Sequence, residues 1–255
     1  MKNIDLNSDL GESFGAYTIG NDAAILPIVS SANVACGFHA GDPVVMRRTV
    51  KLAIDAGTAI GAHPGLPDLV GFGRRQMKIS PDEAYAIVVY QVGALAAFVK
   101  AMGAHLQHVK PHGALYNMAA KDSALAEAIA KAIADVDSSL ILYGLAGSEL
   151  IKAAESEHIA SASEVFADRR YMDDGSLMPR SEKGAVLSDE DEASAQALMM
   201  AEHGEVVTAS GLTIHVKADT LCIHGDTPKA LAFAKRIRDD LSDCGIAIRP
   251  TGKFL

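Results

Sequence analysis

Three cysteines, Cys36, Cys222 and Cys244, are all the chain contains. They are odd in number, widely spaced and never arranged as C-x-x-C, which excludes a disulfide framework and a zinc finger and fits the reducing cytosol. No run of Lys or Arg occurs, and the formal net charge is -9. Phosphate affinity needs clustered cations, so neither a nucleic acid nor an anionic membrane surface is an expected partner. The opening MKNIDLNSDLGE has no basic segment followed by an apolar one. The sequence reads as having no window of the roughly 18 apolar residues needed to cross a bilayer, and a soluble, cytoplasmic protein is expected. Nucleotide signatures are missing too, both G-x-x-x-x-G-K-[ST] and a G-x-G-x-x-G set between strand and helix. G-x-S-x-G is absent, which disfavours a serine hydrolase of the usual α/β type, and no cysteine sits in an evidently activated setting.

What is present is alternation. Helices are expected at about 43 to 56, from 80 to Gly103, and at 122 to 135, 148 to 157, 189 to 203 and 228 to 244. Ser80 with Glu83 forms a capping box, Ser188 and Thr227 read as N-caps, and Gly204 and Gly245 as stops. Between them run seven short apolar segments that read as buried strands: KNIDLN, ANVAC, TAIGA, HVK, LILYG, IASASEVF and TLCIH. Strand and helix in alternation specify a mainly parallel sheet, closed as a barrel or laid open; periodicity does not choose between them. VVTASGLTIHVKA, residues 206 to 218, breaks the alternation with two β-rich runs around Ser210 and Gly211 and predicts an added hairpin at an edge. With 255 residues, no linker of biased composition and no internal repeat, a single domain over 1–255 is expected.

The chemistry-bearing residues stand where strands open into loops. Asp9 and Glu12 in DLGESFG are general-base candidates, or caps of a following turn. His39 in GFHAGDP and His63 in GAHPGLPD follow successive strands, so in a barrel they are neighbours on one rim. Asp5 or Asp9 would complete an Asp-His-His set suited to zinc or another divalent ion, although the sequence holds no tight ligand motif and imidazoles also orient loops through backbone carbonyls. Lys110 and His112 bracket Pro111, and strand alternation points both the same way, for proton transfer and oxyanion support. His224 and Asp226 add an imidazole and a carboxylate after the last strand. Arg74, Arg169 and Arg180 lie near turns and are candidates for binding a substrate carboxylate or phosphate. His105, His108, His158, His203 and His215 are expected in solvated structural roles.

The blocks DLNSDLGESFG, SANVACGFHAGDP, GAHPGLPDLVGFGRR, HVKPHGALYN, GLAGSEL, EVFADRRY, LMPRS and CIHGD, in order from residue 4 to residue 226, resemble the LamB/YcsF family. The resemblance implies a seven-stranded (β/α) TIM-like barrel of the glycoside hydrolase and deacetylase type. It also implies a 5-oxoprolinase activity, opening the lactam of 5-oxo-L-proline (pyroglutamate) to L-glutamate with hydrolysis of ATP, in company with two partners, the B and C subunits. Ser8 stands where some members carry Cys, so a thiol nucleophile at that position is not essential here. Two other readings remain open: a stand-alone metal-dependent amidase or deacetylase, and a non-catalytic protein that carries substrate to a partner.

Overall fold

The computed structural model describes residues 2–223 and 228–255. In chain order its elements are β1 (Asn3–Leu10), α1 (Asp22–Ile25), β2 (Ser31–Ala35), α2 (Pro43–Ala56), β3 (Ala59–His63), α3 (Pro81–Ala101), β4 (Leu106–Val109), α4 (Gly113–Ala119) and α5 (Ser123–Val136). There follow β5 (Ile141–Leu145), α6 (Glu149–Ser156), β6 (Ser161–Phe166), α7 (Glu190–His203), β7 (Glu205–Val207), β8 (Thr213–His215), β9 (Thr220–Cys222), α8 (Pro228–Asp243), β10 (Ala247–Ile248) and a 3₁₀ turn, Thr251–Lys253.

Seven parallel strands pair in the order β1-β2-β3-β4-β5-β6-β9, and β9 pairs back to β1, with Asp5 opposite Thr220 and Asn7 opposite Cys222. That last ladder closes the sheet into a barrel. Short β10 runs parallel to the start of β1, Asn3 opposite Ala247. The hairpin expected at 206 to 218 forms as β7 and β8, antiparallel and outside the barrel in a two-stranded sheet of its own.

Local chemistry sets the helix ends. Asp42 accepts from the amides of Val44 and Val45 to start α2, with Pro43 at its first position, and left-handed Gly57 (φ 70°) stops it. Ser80 and Glu83 form the reciprocal capping box that starts α3. Asp189, rather than the expected Ser188, caps α7: its carboxylate accepts from the amides of Asp191 and Glu192. The expected N-cap Thr227 lies outside the described residues.

One expectation needs correction. α3 is, by length and composition, apolar enough to cross a membrane, with a mean hydropathy of 1.6. Its charges, Asp82, Glu83 and Lys100, stand at the two ends and leave the middle uncharged. In the fold the helix lies against α5, β3 and α2, burying Val88, Val92, Leu95 and Val99. Gln91, also buried, accepts from the Gly65 amide and donates to the Gly65 carbonyl, so α3 holds the loop that follows β3.

Alternation along the strands separates two interiors. One face packs under the helices in a continuous apolar core that includes Ile4, Leu6, Val34, Ala62, Val109 and Leu142. The other face fills the barrel lumen with polar groups. Near its lower end Asp5 accepts from Ser30, Ser31, Tyr143 and Thr220. Burial raises the Asp5 pKa above the usual carboxylate value despite those bonds.

Candidate active site at the barrel mouth

Above that layer the lumen becomes a connected set of side chains. The Asn7 amide donates to Glu164 Oε1 (3.0 Å) and Thr220 Oγ1 (2.7 Å). The Asn33 amide donates to Asn7 Oδ1 (2.7 Å) and Asp9 Oδ1 (2.9 Å). Because that nitrogen is the Asn33 donor, His108 Nε2 must donate to Asn33 Oδ1 at 2.8 Å. His108 is therefore not a solvated residue: it lies fully buried in the lumen, stacked on Tyr143 at 4.1 Å. Burial, with Lys110 and His63 nearby, pushes its pKa down to about 3.

Lys110, next but one on from His108 at the end of β4, reaches the centre of this set. Its ammonium lies 2.7 Å from Glu164 Oε1 and 3.0 Å from Asp9 Oδ1, and donates also to Asn7 Oδ1 and Cys222 Sγ. Burial opposes the charge, yet the carboxylates of Asp9 and Glu164 outweigh it and hold the Lys110 pKa well above the ordinary value. Lys110 is thus a fixed cation, not a snorkelling one. Cys222 stays a thiol, since burial drives its pKa well up, and burial likewise lifts Cys36 to about 12.

At the upper rim the loops after β1, β2 and β4, with the last residue of β3, bring Glu12, His39, His112 and His63 together. One donor atom from each lies within 4.8 Å of all the others, an arrangement that could hold a metal ion. His39 and His112 stack face to face, 3.7 Å between centroids, and His63 meets both edge-on. The glycines of GAHPGLPD and GFGRR explain how such a stack fits. A Cβ on Gly65 would sit 2.7 Å from His39 Nδ1, and one on Gly73, at φ 65°, would sit 2.6 Å from His39 Cβ and 2.9 Å from His112 Cδ2. Burial first, then neighbouring cations and imidazoles, pulls the pKa values of His39 and His112 well below the ordinary histidine value, so both rings are neutral. Asp9 belongs to the rim as well, with Oδ2 3.3 Å from His63 Nε2. Asp5, the other acid considered for an Asp-His-His set, is excluded: its carboxylate is engaged at the lower end of the lumen. Ser8 points away from this face, since Asn7 and Asp9 on either side point into it.

Asp9, His63, Lys110 and His112 open onto a cavity of about 520 Å³ that Arg74, Arg169 and Arg180 also line. All three expected arginines therefore reach one space. They are held differently. Arg169 is buried and donates to the carbonyls of Met178 and Ala185, which anchors the loop carrying Arg180. Arg74 lies over the Phe72 ring at 5.1 Å, while adjacent Arg75 pairs with Asp68 and pins the loop. His224 and Asp226 lie outside the described residues. Asn7, Asn33, Glu164 and Thr220 all escaped the sequence reading. Glu164 sits mid-strand in SASEVF and Asn33 in SANVA, and the one signal they carried was a polar residue at an alternate position of an otherwise buried strand.

A closed (β/α) barrel with its polar groups gathered at the C-terminal mouth has the layout in which barrel enzymes carry their active sites. The chain belongs to the LamB/YcsF family, whose model matches residues 4–255. It is 61% identical over 253 residues to a protein of Geobacillus thermodenitrificans named as the A subunit of 5-oxoprolinase, covering 99% of this chain and 98% of that one. The solved structure of a lactam utilization protein from Thermus thermophilus superposes with a TM-score of 0.92 at 48% identity, over 97% of this chain and 99% of that one. A T48 deacetylase crystallised with substrate shares the fold at a TM-score of 0.52 and 15% identity, over 99% of this chain and 89% of that one.

Proposed function

We propose that the chain is the A subunit of a 5-oxoprolinase, cleaving 5-oxo-L-proline to L-glutamate with hydrolysis of ATP, in a cytoplasmic assembly with B and C subunits. The observation that carries this reading is the Lys110 ammonium, fixed between Asp9 and Glu164 in a cavity that also presents His63, His112 and three arginines. Full-length similarity to relatives bearing the 5-oxoprolinase name supports the substrate.

The substrate explains the ATP. A five-membered lactam is an unstrained, resonance-stabilised amide, and water adds to it poorly until its oxygen becomes a better electron sink. Phosphorylating that oxygen with ATP supplies the sink and releases ADP, the partner proteins perform or complete that step, and after water has opened the ring a second water releases phosphate from the acyl phosphate to give glutamate. In the barrel an arginine among Arg74, Arg169 and Arg180 grips the ring carboxylate, with any contribution of His224 and Asp226 coming from the same rim. Lys110 faces the oxygen on which negative charge develops. Asp9, on the rim beside His63, takes the proton from the attacking water and returns one to the ring nitrogen as the C–N bond breaks, while Glu12, His63 and His112 form the wall beside it. His39 completes the stack that orients His112. A divalent ion at the Glu12–His39–His63–His112 cluster would add Lewis acidity toward a carbonyl or phosphoryl oxygen.

The test is to assemble the chain with its B and C partners and follow pyroglutamate-dependent formation of ADP and glutamate. Asp9→Asn and His112→Ala should each abolish most of the turnover while the assembly persists; parental rates in both would sink the assignment. That same four-donor cluster favours a second reading, a metal-dependent amidase that acts without ATP. Stoichiometric metal together with ATP-independent amide hydrolysis by the isolated chain would select it.

A further inference from the structure

Two hydrogen bonds fix where the protons of the rim histidines are. His63 Nδ1 lies 2.7 Å from the Lys110 carbonyl and His112 Nε2 lies 2.8 Å from the Phe72 carbonyl. A carbonyl oxygen only accepts, so each of these nitrogens carries the hydrogen. The remaining nitrogens are His63 Nε2, which has Asp9 Oδ2 at 3.3 Å, and His112 Nδ1. They face each other at 3.0 Å. Two imidazole nitrogens at that separation need a cation between them, either a proton or a metal ion. Behind them stands His39, buried, with neither ring nitrogen hydrogen-bonded among the described residues. Glu12 Oε1 sits 3.4 Å from His39 Nε2 and 3.9 Å from His112 Nδ1. Three imidazole nitrogens and a carboxylate oxygen thus converge on one point while the N–H groups of His63 and His112 are tied to backbone carbonyls, the orientation expected of metal-bound histidines.

We infer that Glu12, His39, His63 and His112 form a resident site for one divalent transition ion, zinc being the best match. Neighbouring ligands on a tetrahedral ion with bonds of about 2.0–2.1 Å stand about 3.3 Å apart; three of the separations here are 3.0, 3.4 and 3.9 Å, and all four donor atoms lie within 4.8 Å of one another. Three nitrogens and one oxygen suit zinc, cobalt or nickel and not magnesium or calcium, which take oxygen ligands. The set is not the Asp-His-His trio anticipated from the sequence. The acid comes from Glu12; Asp9 Oδ1 is engaged by Lys110 and Asn33, and Asp9 Oδ2 lies at the edge of the set, 3.3 Å from His63 Nε2.

The experiment reads binding alone, so its outcome is independent of whether the chain acts on pyroglutamate. Protein stripped with a chelator and dialysed is titrated with Zn²⁺ by calorimetry, its metal content is measured by mass spectrometry, and Co²⁺ is added in parallel to report the ligand field by visible absorption. One equivalent of zinc bound at micromolar affinity or tighter, displaceable by cobalt with a low-symmetry nitrogen-oxygen spectrum and unaffected by millimolar Mg²⁺, is expected. Glu12→Gln and His39→Gln should each weaken binding at least tenfold, and His215→Gln, on the exposed hairpin, should leave it unchanged. Absence of stoichiometric uptake by the parental protein overturns the site and leaves a proton shared by His63 and His112. Uptake that survives in folded Glu12→Gln and His39→Gln proteins also overturns it, since the ion is then held elsewhere.

Discussion

At the residue scale the decisive object is a buried cation, Lys110, between a buried acid, Glu164, and a half-buried one, Asp9. Removing Lys110 leaves Asp9 and Glu164 facing each other without compensation, which costs about 3–5 kcal/mol, so a fall in activity alone would be ambiguous. Lys110→Met is expected to lower both the unfolding free energy and turnover, the latter by about 10²–10³-fold as for other removed electrostatic stabilisers. Adding Glu164→Gln should recover part of the stability and none of the turnover. Denaturant unfolding beside the coupled ADP and glutamate assay separates the two effects. His108 makes a second prediction, about acid. Its folded pKa is pushed to about 3 against an unfolded value near 6.5, so between those limits the unfolded chain binds a proton that the native barrel does not. Stability therefore falls as pH drops through that window, by about 1.4 kcal/mol per pH unit for this one group. Unfolding curves from pH 7 to pH 4 should show a shallower slope in His108→Asn. The sequence offered Asp9, Glu12, His39, His63, Lys110 and His112 through their strand-end positions, and the structure gathers all six. It concealed Glu164 and misplaced His108, because nothing in a short strand announces that its inward face is polar.

At the element scale, the seven strands and the long helices were legible because each carries its own punctuation: Asp42 and Gly57 around α2, Ser80 and Glu83 opening α3, Gly204 closing α7. The four-residue α1 and the seven-residue α4 were not, since both are short and neither has a side-chain cap, and α4 begins at Gly113 directly after the strand-end Pro111 and His112. β3 carries the sharpest local constraint. A Cβ on Gly61 would lie 2.1 Å from His108 Nε2, inside the lumen, where no backbone freedom is at issue and only volume matters. Gly61→Ala is expected to destabilise the barrel by about 1–3 kcal/mol, the usual result of overpacking, and to shift the His108 ring from Tyr143. Thermal unfolding gives the first, and the ring resonances of Tyr143 the second. A Gly61→Ala protein of parental stability would mean that the strand yields easily there.

At the scale of the whole molecule, barrel and open sheet were equally compatible with the spacing of strands, and what decides is a ladder between the first strand and one more than two hundred residues later. Closure matters because it converges three loop arginines on one cavity in a chain of net charge -9. An anion is drawn to that mouth and repelled by most of the remaining surface. In the complete assembly Arg180→Met should raise the KM for pyroglutamate about tenfold or more, as expected for a lost charge-assisted hydrogen bond, with a smaller effect on kcat. An unchanged KM would assign the carboxylate to Arg74 or Arg169. Alone, the chain should release neither ADP nor glutamate.

The lumen network has a consequence for how such a barrel can drift. Asn7 and Asn33 each serve more than one neighbour, so changing either one strands a group that has no water to turn to. Viable replacements at 7, 33, 108 and 164 should accordingly arise as matched pairs, and a saturation library would find singles at these positions depleted where compensated doubles persist.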